Sequence, residues 1–170
     1  RAPENFAITG TPISIYPELV MALACVKQAA AIANSELGLL DERRAHAIRL
    51  ACEEVREGKL FDEFVVDVIQ GGAGTSSNMN ANEVICNRAL ELFGHKKGEY
   101  QHLHPLDHVN LSQSTNDVYP TAVKLALQFG NNRLLVDMAL LRKAFDAKAR
   151  EFAGVLKVGR TQLQDAVPMT

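Results

Sequence analysis

The sequence contains no tryptophan, and aromatic residues fill only 6% of its 170 positions. It also lacks a surplus of either charge. Eighteen Lys and Arg face twenty Asp and Glu, a formal net charge of −2, so there is no basic field to draw in nucleic acid or an anionic membrane. Cysteine is scarce. Cys25, Cys52 and Cys86 are an odd number, widely spaced and without a CxxC pair, which excludes a disulfide framework or a zinc knuckle and fits apolar thiols in a reducing compartment. Long apolar runs are missing as well: the stretch from Leu19 to Ala33 is broken by Lys27 and Gln28 and falls short of the roughly 20 residues of a membrane span. Residues 1–10 (RAPENFAITG) lack the basic segment followed by an apolar one that marks a signal peptide. These absences point to a cytoplasmic protein without nucleic-acid or membrane partners.

What is present is an ordinary globular composition, 47% hydrophobic and 22% charged, which rules out a collagen, a mucin-like stalk or a disordered acidic tail. At roughly 100–200 residues per domain, the length suits one domain, or one and part of another. The chain opens on Arg1 and stops at Met169-Thr170 without a helix stop, so the expectation is a piece of something longer.

Apolar spacing predicts a helix over residues 16–37, from Leu19, Leu23, Val26, Ala30 and Ala33, stopped by Gly38. Asp41 is placed to cap a second helix ending at Gly58, with Ala45, Ile48, Leu50, Ala51 and Val55 inside, and the two should form a hairpin. The run Asp41-Glu42-Arg43-Arg44 reads as a solvated face of that helix. Phe64–Ile69, short and β-branched, is the best strand candidate. Gly71, Gly72 and Gly74 then make a turn, and Ser76, Ser77 or Asn78 is available to cap a helix running to Gly94. Residues 95–113 read as loop. A helix capped by Ser114, Thr115 or Asn116 follows, with Pro120 tolerable only in its first turns and a kink expected at Gly130-Asn131-Asn132 before it ends near Phe152. Val155–Val158 reads as extended. The class is mainly α with minor short strands, divided into an N-terminal helical domain over 1–113 and the start of a central helical domain over 114–170.

The glycine turn fails both phosphate-loop patterns. It lacks the GK[ST] of a Walker loop, and Ser77 stands where the third glycine of GxGxxG belongs. A glycine turn before a hydroxyl-rich helix start still aims N–H groups and the positive end of a helix dipole at a small anion, or else simply caps the helix. QSTNDVYPTA (Gln113 to Ala122) repeats that logic with three side chains where one cap would suffice, and Thr161 and Gln162 form a third polar cluster. Together the three suggest a carboxylate held by hydroxyls, amides and helix ends. His102, His104 and His108 with Asp107 have a spacing that suits a metal-binding segment, but Pro105 leaves their geometry arbitrary, so they read as loop histidines.

Three blocks, GGAGTSSNMNANEVICNRALELFG, HPLDHVNLSQSTNDVYPTA and GRTQLQDAVPMT, resemble consecutive blocks of the aspartase/fumarase superfamily, over essentially the whole chain. Within it, Gly71-Gly72-Ala73-Gly74-Thr75, Gln113-Ser114-Thr115-Asn116 and the pair Thr161-Gln162 are more similar to the ammonia-lyase branch than to the fumarases. The resemblance implies reversible deamination of L-aspartate to fumarate through an aci-carboxylate, with fumarate hydration or a silent structural relative as the alternatives. It implies Thr75, Ser114 and Thr115 around the carboxylate that gathers charge, and Asn116, Thr161 and Gln162 nearer the amino end of the substrate. The family's catalytic base is a serine on a glycine- and serine-rich loop well downstream, and no such segment occurs in residues 1–170, so this chain alone is expected to be inactive. The family is homotetrameric around a bundle of long helices, and the chain holds the start of one. No cofactor is implied. Divalent-cation activation is known in the family, but no ligand set in the sequence supports a metal site. One departure is Leu106 in HPLDH, where the family usually reads HPND or NPND, which bears on an accessory anion site described for fumarases.

Overall fold

The structure, a computed structural model, describes residues 7–69 and 72–170. Residues 1–6 and Gly71 of the glycine turn lie outside the described residues. The chain divides into two compact units, one up to Phe129 and one over Gly130–Thr170.

The first unit is helical, as the spacing predicts. Helix α1 spans Pro17–Glu36, with proline at its first position, where the missing N–H costs nothing. Helix α2 spans Glu42–Arg56, and Asp41 caps it by accepting the Arg44 N–H at 3.0 Å. Helix α3 spans Thr75–Leu92. All three end in the same closure, in which a glycine beyond the last turn takes a positive φ and the next residue's N–H reaches back into the helix. These reach-back bonds run from Leu39 to Asn34 O (2.8 Å), from Lys59 to Glu54 O (3.0 Å) and from His95 to Leu90 O (2.9 Å). The helices bury their apolar faces on one another. Leu23, Ile48, Val55, Ile85 and Leu90 are fully enclosed, together with Phe64 and Leu103 from the connections. Each such side chain contributes about 1.5–3 kcal/mol of burial.

Three local readings change. Phe64–Ile69 is not a strand. It makes one antiparallel bridge, Pro12 to Asp67, through Ile13 N to Val66 O and Val68 N to Thr11 O, both 2.9 Å. A strand needs a partner of its own length, and the facing segment turns at once into a 3-10 helix at Ile13–Ile15. The loop 95–113 contains a single π-helical turn, Pro105–Val109. The charged run at Asp41 is only partly a solvated face: Arg44 is half-buried and donates from Nε to His102 O at 2.7 Å, tying α2 to the connection after α3. Cys52 and Cys86 are buried and free, as read, while Cys25 is half-buried.

The bridge is fastened by Asp67. Its carboxylate accepts the N–H groups of Thr9 (2.7 Å), Gly10 (2.9 Å) and Ile69 (2.8 Å) and the Thr9 hydroxyl (2.9 Å). Burial disfavours the charged form, but these donors outweigh it and hold the pKa down to about 2. A carboxylate depressed in the native state stabilises above its unfolded value of about 3.9, and that stabilisation is lost as pH falls towards about 2. Acid titration followed by circular dichroism should therefore show Asp67→Asn unfolding with a shallower pH dependence than the parent between pH 4 and pH 2.

Helix α4 spans Thr115–Phe152 and stays helical through Gly130-Asn131-Asn132, where a kink is expected from sequence. Ser114 caps it, its Oγ accepting the Asn116 N–H at 3.2 Å. Pro120 lies within the second turn, where its missing N–H leaves the Asn116 carbonyl without its helical donor. Val118 and Ala122 are its buried residues.

In the second unit, the later part of α4 is exposed throughout, including Leu134, Leu135, Met138, Leu141 and Phe145. Strands β1 (Lys157–Thr161) and β2 (Gln164–Met169) form an antiparallel hairpin in which Thr161 pairs with Gln164 and Lys157 with Met169. The extended segment thus starts later than Val155 and runs further. Among the described residues no helix is long and apolar enough to cross a membrane. Among the described residues the molecule is mainly α, with an N-terminal set of helices, a long helix and one short hairpin after it.

Candidate active site

The starts of α3 and α4 are locked together. Gly74, the residue before α3, has φ 84°, a conformation that disfavours any side chain. A Cβ there would also fall 2.2 Å from Tyr119 Cγ on α4. The aromatic ring lies directly on the glycine backbone. Since Gly74 is the cap and makes no side-chain bond, none of Ser76, Ser77 and Asn78 caps α3 as the sequence suggests. Ser77 and Asn78 are instead buried within its first turns.

Asn78 provides the second link. Its Nδ2 donates to Thr115 Oγ1 at 3.0 Å and to Asn110 Oδ1 at 3.2 Å. Because Thr115 Oγ1 accepts from Asn78, its own O–H is left to donate elsewhere. Thr75, Ser114 and Asn116 are exposed and Thr115 is half-buried, so uncharged donors surround the paired helix starts. Both helix dipoles put their positive ends there as well, a setting for a carboxylate. Thr161 and Gln162 belong to the second unit. Thr161 ends β1, and Gln162 opens the hairpin turn with φ 53°; both are exposed.

Behind Thr115 lies a polar cluster that the sequence reading misses. Lys27 is fully buried on α1, and its Nζ donates to Asn110 Oδ1 and Gln113 Oε1, both at 2.9 Å. Asn82 Nδ2 donates to the same Asn110 oxygen at 3.2 Å. Asn110 and Gln113 are fixed in turn, Asn110 Nδ2 on Gln113 O at 3.1 Å and Gln113 Nε2 on Val109 O at 2.9 Å. Burial presses the Lys27 pKa down to about 7, against a smaller opposing pull from Cys52. The buried oxygens Asn78 Oδ1 and Asn82 Oδ1 have no hydrogen-bond partner among the described residues. Such orphans cost about 1–3 kcal/mol each, so the cluster is held for something other than stability alone. The signal was legible in spacing. Lys27 continues the buried stripe Leu23-Lys27-Ala31-Asn34, and Asn78 and Asn82 share one face of α3.

The histidines of HPLDH are engaged locally. His108 Nδ1 accepts the His104 N–H at 2.8 Å, and His104 Nδ1 takes the N–H groups of Leu106 and Asp107, each at 3.3 Å. Burial and the nearby Arg44 charge lower the pKa of His108. Leu106, the departure in this motif, is half-exposed.

A family model described as "Lyase" matches residues 1–170. The chain belongs to this lyase family, within the aspartase/fumarase superfamily. It is 62% identical over 170 residues to aspartate ammonia-lyase of Pseudomonas fluorescens, covering all of this chain and 36% of that relative. With the aspartate ammonia-lyase of Escherichia coli (strain K12) the identity is 56% over 171 residues, again 36% of the relative. The chain thus spans about a third of the length of the curated relatives it matches. Among solved structures, it matches fumarate lyase:delta crystallin from Brucella melitensis with a TM-score of 0.95 and 58% identity, covering 99% of this chain and 39% of that one. The class II fumarase of Schistosoma mansoni matches at a TM-score of 0.92 and 38% identity, over 99% and 36%. The lyase family therefore accounts for the mainly α fold and for the three sequence blocks together.

Proposed function

We propose that the protein carrying this chain is an aspartate ammonia-lyase, eliminating ammonia reversibly from L-aspartate to give fumarate. The observation that carries this reading is the Asn78–Thr115 hydrogen bond, which occupies the Thr115 oxygen as an acceptor and leaves its O–H to donate at the paired helix starts. The difficult step is removal of a weakly acidic proton from the carbon beside a carboxylate. The base takes that proton, and the electron pair passes onto the carboxylate, which becomes a doubly charged aci-carboxylate. Collapse of that pair forms the carbon–carbon double bond and expels the amino group as ammonia. Fixed donors gain most where charge accumulates, so Thr75, Ser114 and Thr115 serve the aci-carboxylate better than the ground state. Asn116, Thr161 and Gln162 are assigned to the amino end of the substrate.

The base is a serine expected outside residues 1–170, which leaves this chain by itself inactive. Residues 1–113 are assigned to the N-terminal domain and 114–170 to the beginning of the central helical domain. The exposed apolar residues of α4 after Gly130 support assembly as a homotetramer through a helical bundle. The reading places the enzyme in the cytoplasm, acting on a small dicarboxylate or amino-acid substrate.

The identity to proteins named aspartate ammonia-lyase, 56–62%, against 38% to a fumarase, favours ammonia over water as the leaving group. The hydroxyls at Thr75, Ser114, Thr115 and Thr161 favour an enzyme over a silent structural relative. Fumarate absorbance followed with L-aspartate and then with malate is the test. Formation from aspartate is expected, and formation from malate alone overturns the assignment.

A further inference from the structure

Away from the helix starts, the connection after α3 gathers a second set of side chains. His95, Glu99 and His102 bring one nitrogen or oxygen each to within 4.8 Å of one another. All three are partly accessible to solvent. The sequence reading put any metal question on His102, His104 and His108. Among these, His104 and His108 spend their Nδ1 lone pairs on backbone N–H groups. The rings of His95 and His102 make no ring-nitrogen hydrogen bond among the described residues. They lie face to face, with centroids 3.8 Å apart and planes 6° from parallel.

The backbone beneath this set is pinned at each member. His95 is held by its bond to Leu90 O at 2.9 Å, at the close of α3. Gly98 donates to Asn87 Oδ1 on α3 at 2.9 Å, and Lys96 N–H orients the Glu99 carboxylate at 3.1 Å. His102 N–H bonds to Glu99 O at 3.0 Å, and its own carbonyl accepts Arg44 Nε at 2.7 Å. His95 Nδ1 and Glu99 Oε2 stand 3.4 Å apart. Two ligands at about 2.0–2.1 Å from one tetrahedral ion are separated by about 3.3–3.4 Å. That pair already has the spacing of one coordination sphere, and the His102 nitrogen, within 4.8 Å of both, would complete it once its ring turns out of the stack on His95.

We propose that His95, Glu99 and His102 form a binding site for one divalent transition-metal ion of the zinc class, with water completing a tetrahedral sphere. Two imidazoles and a carboxylate suit zinc, whereas magnesium and calcium prefer oxygen ligands throughout. A bound ion would clip the connection to the end of α3, on residues that the lyase chemistry does not use.

The test uses tag-free protein, with zinc binding read by competition against a chromophoric chelator and the ligand field read from cobalt absorption. One equivalent should bind, giving the visible bands of a tetrahedral nitrogen–oxygen site without a thiolate charge-transfer band. His95→Gln, Glu99→Gln and His102→Gln should each weaken zinc at least tenfold, while His46→Gln, an exposed histidine of α2, leaves affinity unchanged. Thermal unfolding of each variant without metal checks that the fold is kept. Affinity unchanged in His102→Gln, no saturable equivalent, or a thiolate band pointing to Cys25 would each overturn the proposal.

Discussion

Thr115→Val should lower the turnover number for fumarate formation by roughly 10²–10³, the usual cost of removing one preorganised donor from a developing oxyanion. That is about 3–4 kcal/mol of lost transition-state stabilisation. Valine keeps the β-branched shape, and Asn78 Nδ2 keeps its other acceptor, Asn110 Oδ1, so the fold changes little. What disappears is the hydroxyl whose oxygen accepts from Asn78 and whose O–H is left to donate. If the hydroxyl acts on the aci-carboxylate, kcat falls far more than KM rises, because the charge it meets is greater in the transition state than in aspartate. Thr115→Ser restores the donor and should recover most of the turnover. Steady-state kinetics on the protein that carries this chain separates the outcomes. A valine variant with parental kcat, or one in which KM alone moves, removes Thr115 from the chemistry.

The three helix closures and the Asp41 cap were readable, and the cap of α4 was narrowed to Ser114, Thr115 or Asn116, because each is local and acts within four residues of itself in the chain. Phe64–Ile69 was misread for the opposite reason. Its β-branched composition is genuine, but strand formation depends on a partner, and the partner at Pro12 offers one bridge. The paired helix starts were half legible. Excess hydroxyls at Ser114 and Thr115 announced a donor cluster, yet nothing local says that Tyr119 will lie on Gly74, or that Asn78 will turn inward to Thr115 rather than cap its own helix. Lys27 shows the same limit more sharply. Helical spacing puts it on the buried stripe of α1, but its partners Asn110 and Gln113 lie more than eighty residues away.

Lys27 also gives the largest expected effect on stability. As an ammonium it carries three N–H donors, and two acceptors, Asn110 Oδ1 and Gln113 Oε1, face it among the described residues. The neutral amine has two N–H groups and satisfies both without bringing a charge into the core. Burial accordingly sets the pKa at about 7, far below the unfolded value of about 10.4. Between those values the unfolded chain binds more protons than the native one, so native stability rises with pH. From pH 7 to pH 9 the gain is about 2–3 kcal/mol. Above about pH 9 the buried thiols work the other way, since burial raises the pKa of Cys52 and pushes that of Cys86 up to about 12. Lys27→Met keeps the length of the side chain and removes the titrating group, leaving Gln113 Oε1 dry at a cost of about 1–3 kcal/mol while Asn110 Oδ1 keeps the Asn78 and Asn82 amides. Denaturant unfolding at pH 7 and pH 9 should therefore show the parent gaining stability over this interval by about 2–3 kcal/mol more than the methionine variant, with the thiols cancelling in the comparison. Parallel profiles for the two proteins would mean that the amine keeps its charge in the core, with a third acceptor satisfying it.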